Sequence, residues 1–118
     1  MNVAVVILNW NGKQLLEAYL PSVVEHSEGH ATVYVADNAS TDDSIVFVRE
    51  QFGVPANSLK PRVTLIENLT NGGYAKGYND ALKKIDADVY VLLNSDVEVT
   101  AGWLDPMIRL FEEDSTLG

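Results

Sequence analysis

Hydrophobic positions in this chain alternate between two rhythms. Val3 to Leu8 is a continuous β-branched and aliphatic run, the mark of a strand buried on both faces. Leu15, Leu16, Tyr19, Leu20, Val23 and Val24 then recur at the spacing of one helical face. Pro21 falls inside that stretch and predicts a kink or a restart, because proline removes an interior hydrogen bond. Thr32 to Ala36 is a second strand. Ser40-Thr41-Asp42-Asp43 reads as a helix cap with acids in the first turn, followed by Ile45, Val46, Val48, Arg49 and Phe52 and stopped by Gly53. Residues 54–61, which hold two prolines, form a loop. Val63 to Ile66 is a third strand. Gly72-Gly73 breaks the chain before a helix holding Tyr74, Tyr78, Ala81, Leu82 and Ile85. Val89 to Leu93 is a fourth strand. Trp103, Leu104, Met107, Ile108 and Phe111 give a fourth helical face that ends near Gly118.

The order βαβαβαβα predicts an α/β fold: a mainly parallel sheet with right-handed crossovers between two helical layers. Ligands of such sheets sit outside the carboxyl ends of the strands, near a switch in strand order. Each strand here runs into polar residues at that end. They are Asn9-Trp10-Asn11-Gly12, Asp37-Asn38-Ala39-Ser40, Glu67-Asn68 just ahead of Asn71-Gly72-Gly73, and Asn94-Ser95-Asp96. The pattern does not fix the strand order, but 3-2-1-4 would place the first, second and fourth tips side by side.

Composition narrows the classes. With 118 residues and a mass near 12.9 kDa, the chain supports one modest core. No cysteine is present, so disulfides and thiolate metal sites are excluded. No apolar run approaches the roughly 20 residues that span a bilayer. A strand pattern begins at once with no basic n-region, so a cytoplasmic chain is expected. The formal charge of −9 argues against duplex nucleic acid. It allows nucleotides, because a divalent cation can bridge an acidic site and a diphosphate.

The tips carry the candidate chemistry. Asp96 offers a hard oxygen ligand for Mg²⁺ or Mn²⁺, or caps a helix starting near Thr100; on the residues alone the two readings stand level. Asn94 reaches a ribose or a metal, or orders the turn. Asp37 can accept from a base N–H or a ribose hydroxyl, or serve its own turn. Trp10, between Asn9 and Asn11, can stack on a nucleobase, with core filling as the alternative. Asn71 and Gly73 precede a helix, where glycines let backbone approach a phosphate. The segment lacks the ending of a Walker loop and is misplaced for a dinucleotide fingerprint. Lys76 pairs with a phosphate or is a solvated helix lysine, in equal measure. Asp42 reads as a first-turn acid, His26 and His30 as surface residues, and Trp103 and Met107 as core.

Taken together, VAVVILNWNG, VYVADNASTDDS, ENLTNGGYAKGYNDAL and YVLLNSDVEV resemble the nucleotide-sugar half of the family 2 glycosyltransferases, in the family's order and over nearly the whole chain. The wording of the last two is most similar to the rhamnosyltransferase-type branch. The resemblance implies a GT-A half-domain over residues 1–118 that stops before the acceptor half. It implies a UDP- or dTDP-sugar donor bound through Mg²⁺ or Mn²⁺ at Asp96, with Ser95 in the same motif. It also implies a base contact at Asp37, stacking at Trp10, and inverting transfer to a carbohydrate or lipid-linked acceptor, with the full-length protein at the inner membrane face. One departure is Asn94, which stands where the family's Asp-X-Asp motif opens with a carboxylate. No residue is identified as the catalytic base. Two other classes compete. A sugar nucleotidyltransferase would need a Gly-rich, basic signature after the first strand, where Asn-Trp-Asn-Gly-Lys stands. A flavodoxin-like module would need acids there and an Asp at the third tip, where Asn9 and Glu67 stand. An exposed sheet edge beside strand four predicts a homodimer.

Overall fold

The structure, a computed structural model, describes residues 2–53 and 61–113. The loop expected from residue 54 and the helix end expected near Gly118 lie outside the described residues. Eight elements follow in the anticipated alternation: β1 (Val3–Asn9), α1 (Lys13–Ser27), β2 (Thr32–Asn38), α2 (Ser44–Phe52), β3 (Val63–Asn68), α3 (Tyr74–Leu82), β4 (Val89–Leu93) and α4 (Asp105–Glu113). The four strands form one parallel sheet in the order β3-β2-β1-β4. No described helix is long and apolar enough to cross a membrane.

Right-handed crossovers place α1 and α2 on one face of the sheet and α3 on the other. The packing reports this directly. Val5, Ile7, Val33, Val35 and Val63 meet Leu16, Leu20, Val23 and Val24 of α1 and Val48 and Phe52 of α2, with Val99, Leu104, Met107 and Ile108 closing the same side. Ala4, Val6, Ala36 and Ile66 meet Tyr78 and Ala81 of α3 and Ile85. Alternate residues of each strand thus belong to opposite cores. β4 is the thinly covered strand: Tyr90 and Leu92 are in register with Ala4 and Val6, on the α3 side, and stay 39% and 49% exposed.

Several local expectations are corrected. Pro21 does not restart α1, which runs as one helix past it; the lost bond is the one its nitrogen would give to the Glu17 carbonyl. Ser40 does not cap α2, which begins four residues later. Its hydroxyl and amide are engaged by Asp37 and Asn11. α4 starts at Asp105, after a turn in which Trp103 N–H bonds the Thr100 carbonyl. Trp103 reads correctly as core: its ring packs on the first cluster and Nε1 donates to Ser27. Gly53 ends α2 as expected.

Two α3 residues fix how closely that helix approaches the strand tips. Gly77 lies where a Cβ would come within 2.8 Å of Leu8 Cδ1 and 3.1 Å of Asn38 Nδ2. The Tyr78 hydroxyl donates to the Leu93 carbonyl at 3.0 Å and accepts from the Leu8 N–H at 3.4 Å, tying the ends of β1 and β4 to the helix. Burial, and then the neighbouring Tyr74, push this phenol up to about 12, while the Leu8 N–H acts the other way. A raised phenol binds its proton more tightly when folded. Its contribution is therefore complete below the unfolded value of 10 and is lost as pH rises toward about 12. Urea titrations between pH 9 and 12 should show a fall in stability across that window, and Tyr78→Phe should flatten it. At neutral pH the same variant should lose about 1–2 kcal/mol, since two strand-end groups lose a partner.

Candidate functional site

The strand order reverses at β1, whose neighbours are β2 on one side and β4 on the other. The chain leaving β1 turns to α1 on one face and the chain leaving β3 turns to α3 on the other, which leaves a crevice above the β1 and β4 tips. A cleft of about 470 Å³ opens there. Its lining is Leu8, Trp10, Leu15, Asn38, Asn71, Gly73, Tyr74, Tyr78, Asn94, Ser95 and Asp96. Trp10 is 57% exposed, an aromatic face on the rim rather than core filler. Tyr74 and Tyr78 meet edge to face at 4.8 Å and form the α3 wall. The Tyr74 hydroxyl donates to Asn94 Oδ1 at 3.1 Å.

Strand parity decides which tip residues reach this cleft. Asn9 and Asp37 are paired in register and fall on the α1 side, while Leu8 and Asn38 fall on the α3 side. Asp37 is 1% exposed. Its Oδ1 accepts from Asn9 Nδ2 at 2.9 Å and from the Ser40 hydroxyl at 2.7 Å; its Oδ2 accepts from the Ser40 N–H at 2.8 Å. Asn11, in the left-handed region at φ 48°, accepts on Oδ1 from the backbone N–H of Thr41 at 2.7 Å and of Asp42 at 3.2 Å. Asp42 receives the N–H groups of Lys13 and Ser44 and the Ser44 hydroxyl. Burial pushes the Asp42 carboxyl up, but these hydrogen bonds outweigh it and hold the group below its usual range. The first two tips are thus laced together by Asn9, Asn11, Asp37, Ser40 and Asp42.

A second polar lattice lies on the α3 side. Asn38 and Asn68 are paired in register, and Asn68 Nδ2 donates to Asn38 Oδ1 at 3.2 Å. Asn38 Nδ2 donates to Asn71 Oδ1 at 2.8 Å, and the Gly73 N–H donates to the same oxygen at 2.9 Å. Gly73 has φ 97°, a conformation that favours glycine and turns the chain into α3.

Of the ten residues singled out in the sequence, Trp10, Asn71, Gly73, Asn94, Ser95 and Asp96 come together in the cleft. Asn9, Asn11 and Asp37 do not line it: the first and last are buried supports, and Asn11 borders a separate hollow with Lys13 and Asp43. The Asp37 oxygens are engaged by protein donors and the Asn9 and Asp37 side chains are both enclosed, so a base would meet Asp37 only in exchange for one of these hydrogen bonds. Lys76 lies on another face, bonded to Asp80 at 2.7 Å. Asp96 caps no helix at Thr100, because α4 begins at Asp105. Asn38, Tyr74 and Tyr78 were missed. Asn38 was legible from parity: once Asp37 faces one side of a strand, its neighbour faces the other.

The glycosyl transferase family 2 model matches residues 4–118. The chain belongs to that family. Among solved structures, this family 2 chain is similar to residues 1–349 of S. aureus TarS, with a TM-score of 0.76 and 23% identity over 96% of this chain and 33% of that one. It is similar to the mannosyltransferase PcManGT from Pyrobaculum calidifontis, in complex with GDP-Man and Mn²⁺, with a TM-score of 0.76 and 26% identity over 92% of this chain and 32% of that one. It also resembles glucosyl-3-phosphoglycerate synthase from Mycobacterium tuberculosis, in complex with Mn²⁺, UDP and glucosyl-3-phosphoglycerate, with a TM-score of 0.66 and 16% identity over 94% of this chain and 39% of that one. The chain thus spans about a third of the length of these relatives. No curated protein matches it. The α/β architecture with its 3-2-1-4 parallel sheet is the one these GT-A glycosyltransferases share with it.

The structural role of Asp37 has a direct test. Asp37→Asn keeps the shape but replaces one accepting oxygen with a donor facing the Asn9 amide or Ser40. The variant should lose about 1–3 kcal/mol in chemical denaturation, the cost of unmatched buried polar groups. Unchanged stability together with weakened nucleotide binding would instead support the base-contact role.

Proposed function

We propose that this chain is the donor-binding part of a glycosyltransferase that holds a nucleoside-diphosphate sugar through a divalent cation. In the intact enzyme the sugar passes to an acceptor hydroxyl with inversion. The observation that carries this reading is the convergence of Trp10, Asn71, Gly73, Asn94, Ser95 and Asp96 on one cleft at the β1/β4 switch. Support also comes from the family match and from solved relatives with UDP-GlcNAc, GDP-Man or Mn²⁺ bound. The same match weighs against the nucleotidyltransferase and flavodoxin-like alternatives. In a flavodoxin-like sheet β3, not β4, would flank β1.

The donor atoms fit Mg²⁺ or Mn²⁺. Asp96 contributes a carboxylate and Ser95 a neutral hydroxyl oxygen, both hard ligands. No group of three His, Cys, Asp or Glu side chains could hold a metal among the described residues. The cation would complete its shell with water and phosphate oxygens, as Mg²⁺ commonly does. When bound, the cation supplies neutralisation of the charge that develops on the departing diphosphate. Trp10 offers its exposed face to the base, and the Gly73 backbone admits the phosphates closely. Asp96 is the one carboxylate in the described lining. With it committed to the cation, no residue here is assigned as acceptor base. The chain alone should therefore bind donor and transfer weakly or not at all. A UDP- or dTDP-linked sugar and a carbohydrate or lipid-linked acceptor remain the proposed substrates, with the rhamnosyl branch resting on the motif wording alone.

Calorimetric titration with UDP should show binding that is strengthened severalfold by Mn²⁺. Asp96→Ala should remove the Mn²⁺ effect and leave the metal-free heats. Trp10→Ala should cost about 1–3 kcal/mol of binding, the range for loss of base stacking. Equal weak heats with and without Mn²⁺ would overturn the reading.

The outer edge of β4 supports a second proposal, that two copies pair through it. Among the described residues β4 is bonded only to β1, and Tyr90 and Leu92 expose apolar surface beside that edge. Light scattering should return twice the monomer mass, and Leu92→Lys should return it to the monomer. A monomer at high concentration would overturn this without touching donor binding.

A further inference from the structure

Two amide side chains in the cleft have their oxygens already engaged. Asn71 Oδ1 accepts from Asn38 Nδ2 at 2.8 Å and from the Gly73 N–H at 2.9 Å. A backbone N–H can only donate, so the atom facing it is the amide oxygen and the nitrogen is turned away. Asn38 is itself held: it is 2% exposed, its Nδ2 also reaches the Gly73 carbonyl at 3.3 Å, and its oxygen takes the Asn68 amide. Asn94 Oδ1 is engaged by the Tyr74 hydroxyl at 3.1 Å. Neither Nδ2 has a protein acceptor among the described residues, and both side chains line the cleft. The same lining contains no Lys or Arg among the described residues, and the chain carries a formal charge of −9.

We propose that Asn71 and Asn94 present their amide N–H groups to the non-bridging oxygens of the ligand's diphosphate. Asn38 and Tyr74 act as positioning residues that fix this donor orientation. The inference rests on the donor-binding reading above and deepens it. Recognition by the described lining then uses neutral donors and the cation, with no basic side chain among those residues. It assigns Asn94 a task that a carboxylate could not perform, because an ionised carboxylate has no hydrogen to donate. It also sets the ligand chemistry: an anion rich in acceptor oxygens is favoured, and a ligand offering only donors is not.

The test uses Asn71→Asp and Asn94→Asp. Each new carboxylate can still accept the internal hydrogen bonds, so the fold is retained while the ligand-facing donors become an acceptor. UDP and uridine are titrated against each variant in Mn²⁺, by calorimetry for UDP and by NMR shift for uridine. Asn71→Asp and Asn94→Asp should each weaken UDP at least tenfold and leave uridine unchanged. Tyr74→Phe should weaken UDP severalfold in the wild-type background and have no effect in Asn94→Asp, because Tyr74 acts only through that amide. UDP affinity that is unchanged in Asn71→Asp, or raised in Asn94→Asp, overturns the inference while metal-dependent binding by the wild type keeps the donor reading. Equal losses for UDP and uridine overturn it as well, by showing a general disturbance of the cleft. A wild-type chain that binds no UDP overturns both.

Discussion

The pairing of β4 with the side of β1 that faces away from β2 is the constraint on which the cleft depends. Residues Val3 to Ile7 meet Val89 to Leu93 in parallel register, while Ala4 to Asn9 meet Thr32 to Asp37 on the opposite flank. Because the crossovers are right-handed, the chain leaves β1 toward the α1 face and leaves β3 toward the α3 face, both at the carboxyl ends of the strands. Two loops that part in this way cannot fill the space between them. The opening at the tips of β1 and β4 is a result of topology, and the side chains only decide what it attracts.

Parity along the strands then divides the polar residues into two trades. On the α1 side, Asn9 and Asp37 join the first two tips beneath the rim, with Asn11, Ser40 and Asp42 closing the loops around them. On the α3 side, Asn38 and Asn68 brace the Asn71-Gly72-Gly73 turn against the sheet. Neighbouring residues in one short segment, Asp37 and Asn38, therefore do unrelated jobs. The apparent excess of asparagine at the tips has a physical basis. An amide both donates and accepts, so it can join two loops without bringing an uncompensated charge into the interior.

Much of this was legible beforehand, for identifiable reasons. The strands announced themselves because both faces of β1 and β2 are covered and unbroken apolar runs have few other uses. The rim followed from the general behaviour of parallel sheets, and Trp10, Asn94 and Asp96 were placed on it by their positions after β1 and β4. The bracing role of Asp37 was not legible because a motif position carries no facing direction until β1 and β2 have paired. Ser40 misled as a helix cap because its hydroxyl is claimed by Asp37, a contact that exists only after β1 and β2 have paired. Tyr74 and Tyr78 were visible only as helical periodicity; their polar contacts with Asn94 and Leu93 require α3 to lie across the ends of two strands that are distant in the chain.

Gly77 carries a consequence for how such a cleft evolves. With no side chain there, the α3 backbone rests directly on the side chains of Leu8 and Asn38, and the width of the opening is set by how closely they meet. A single methyl group at this position would act as a shim, pressing the helix outward and drawing Tyr74 and Tyr78 away from the opposite wall. Lineages could thus resize the compartment by one small substitution on its hidden flank, leaving every residue that touches the occupant untouched.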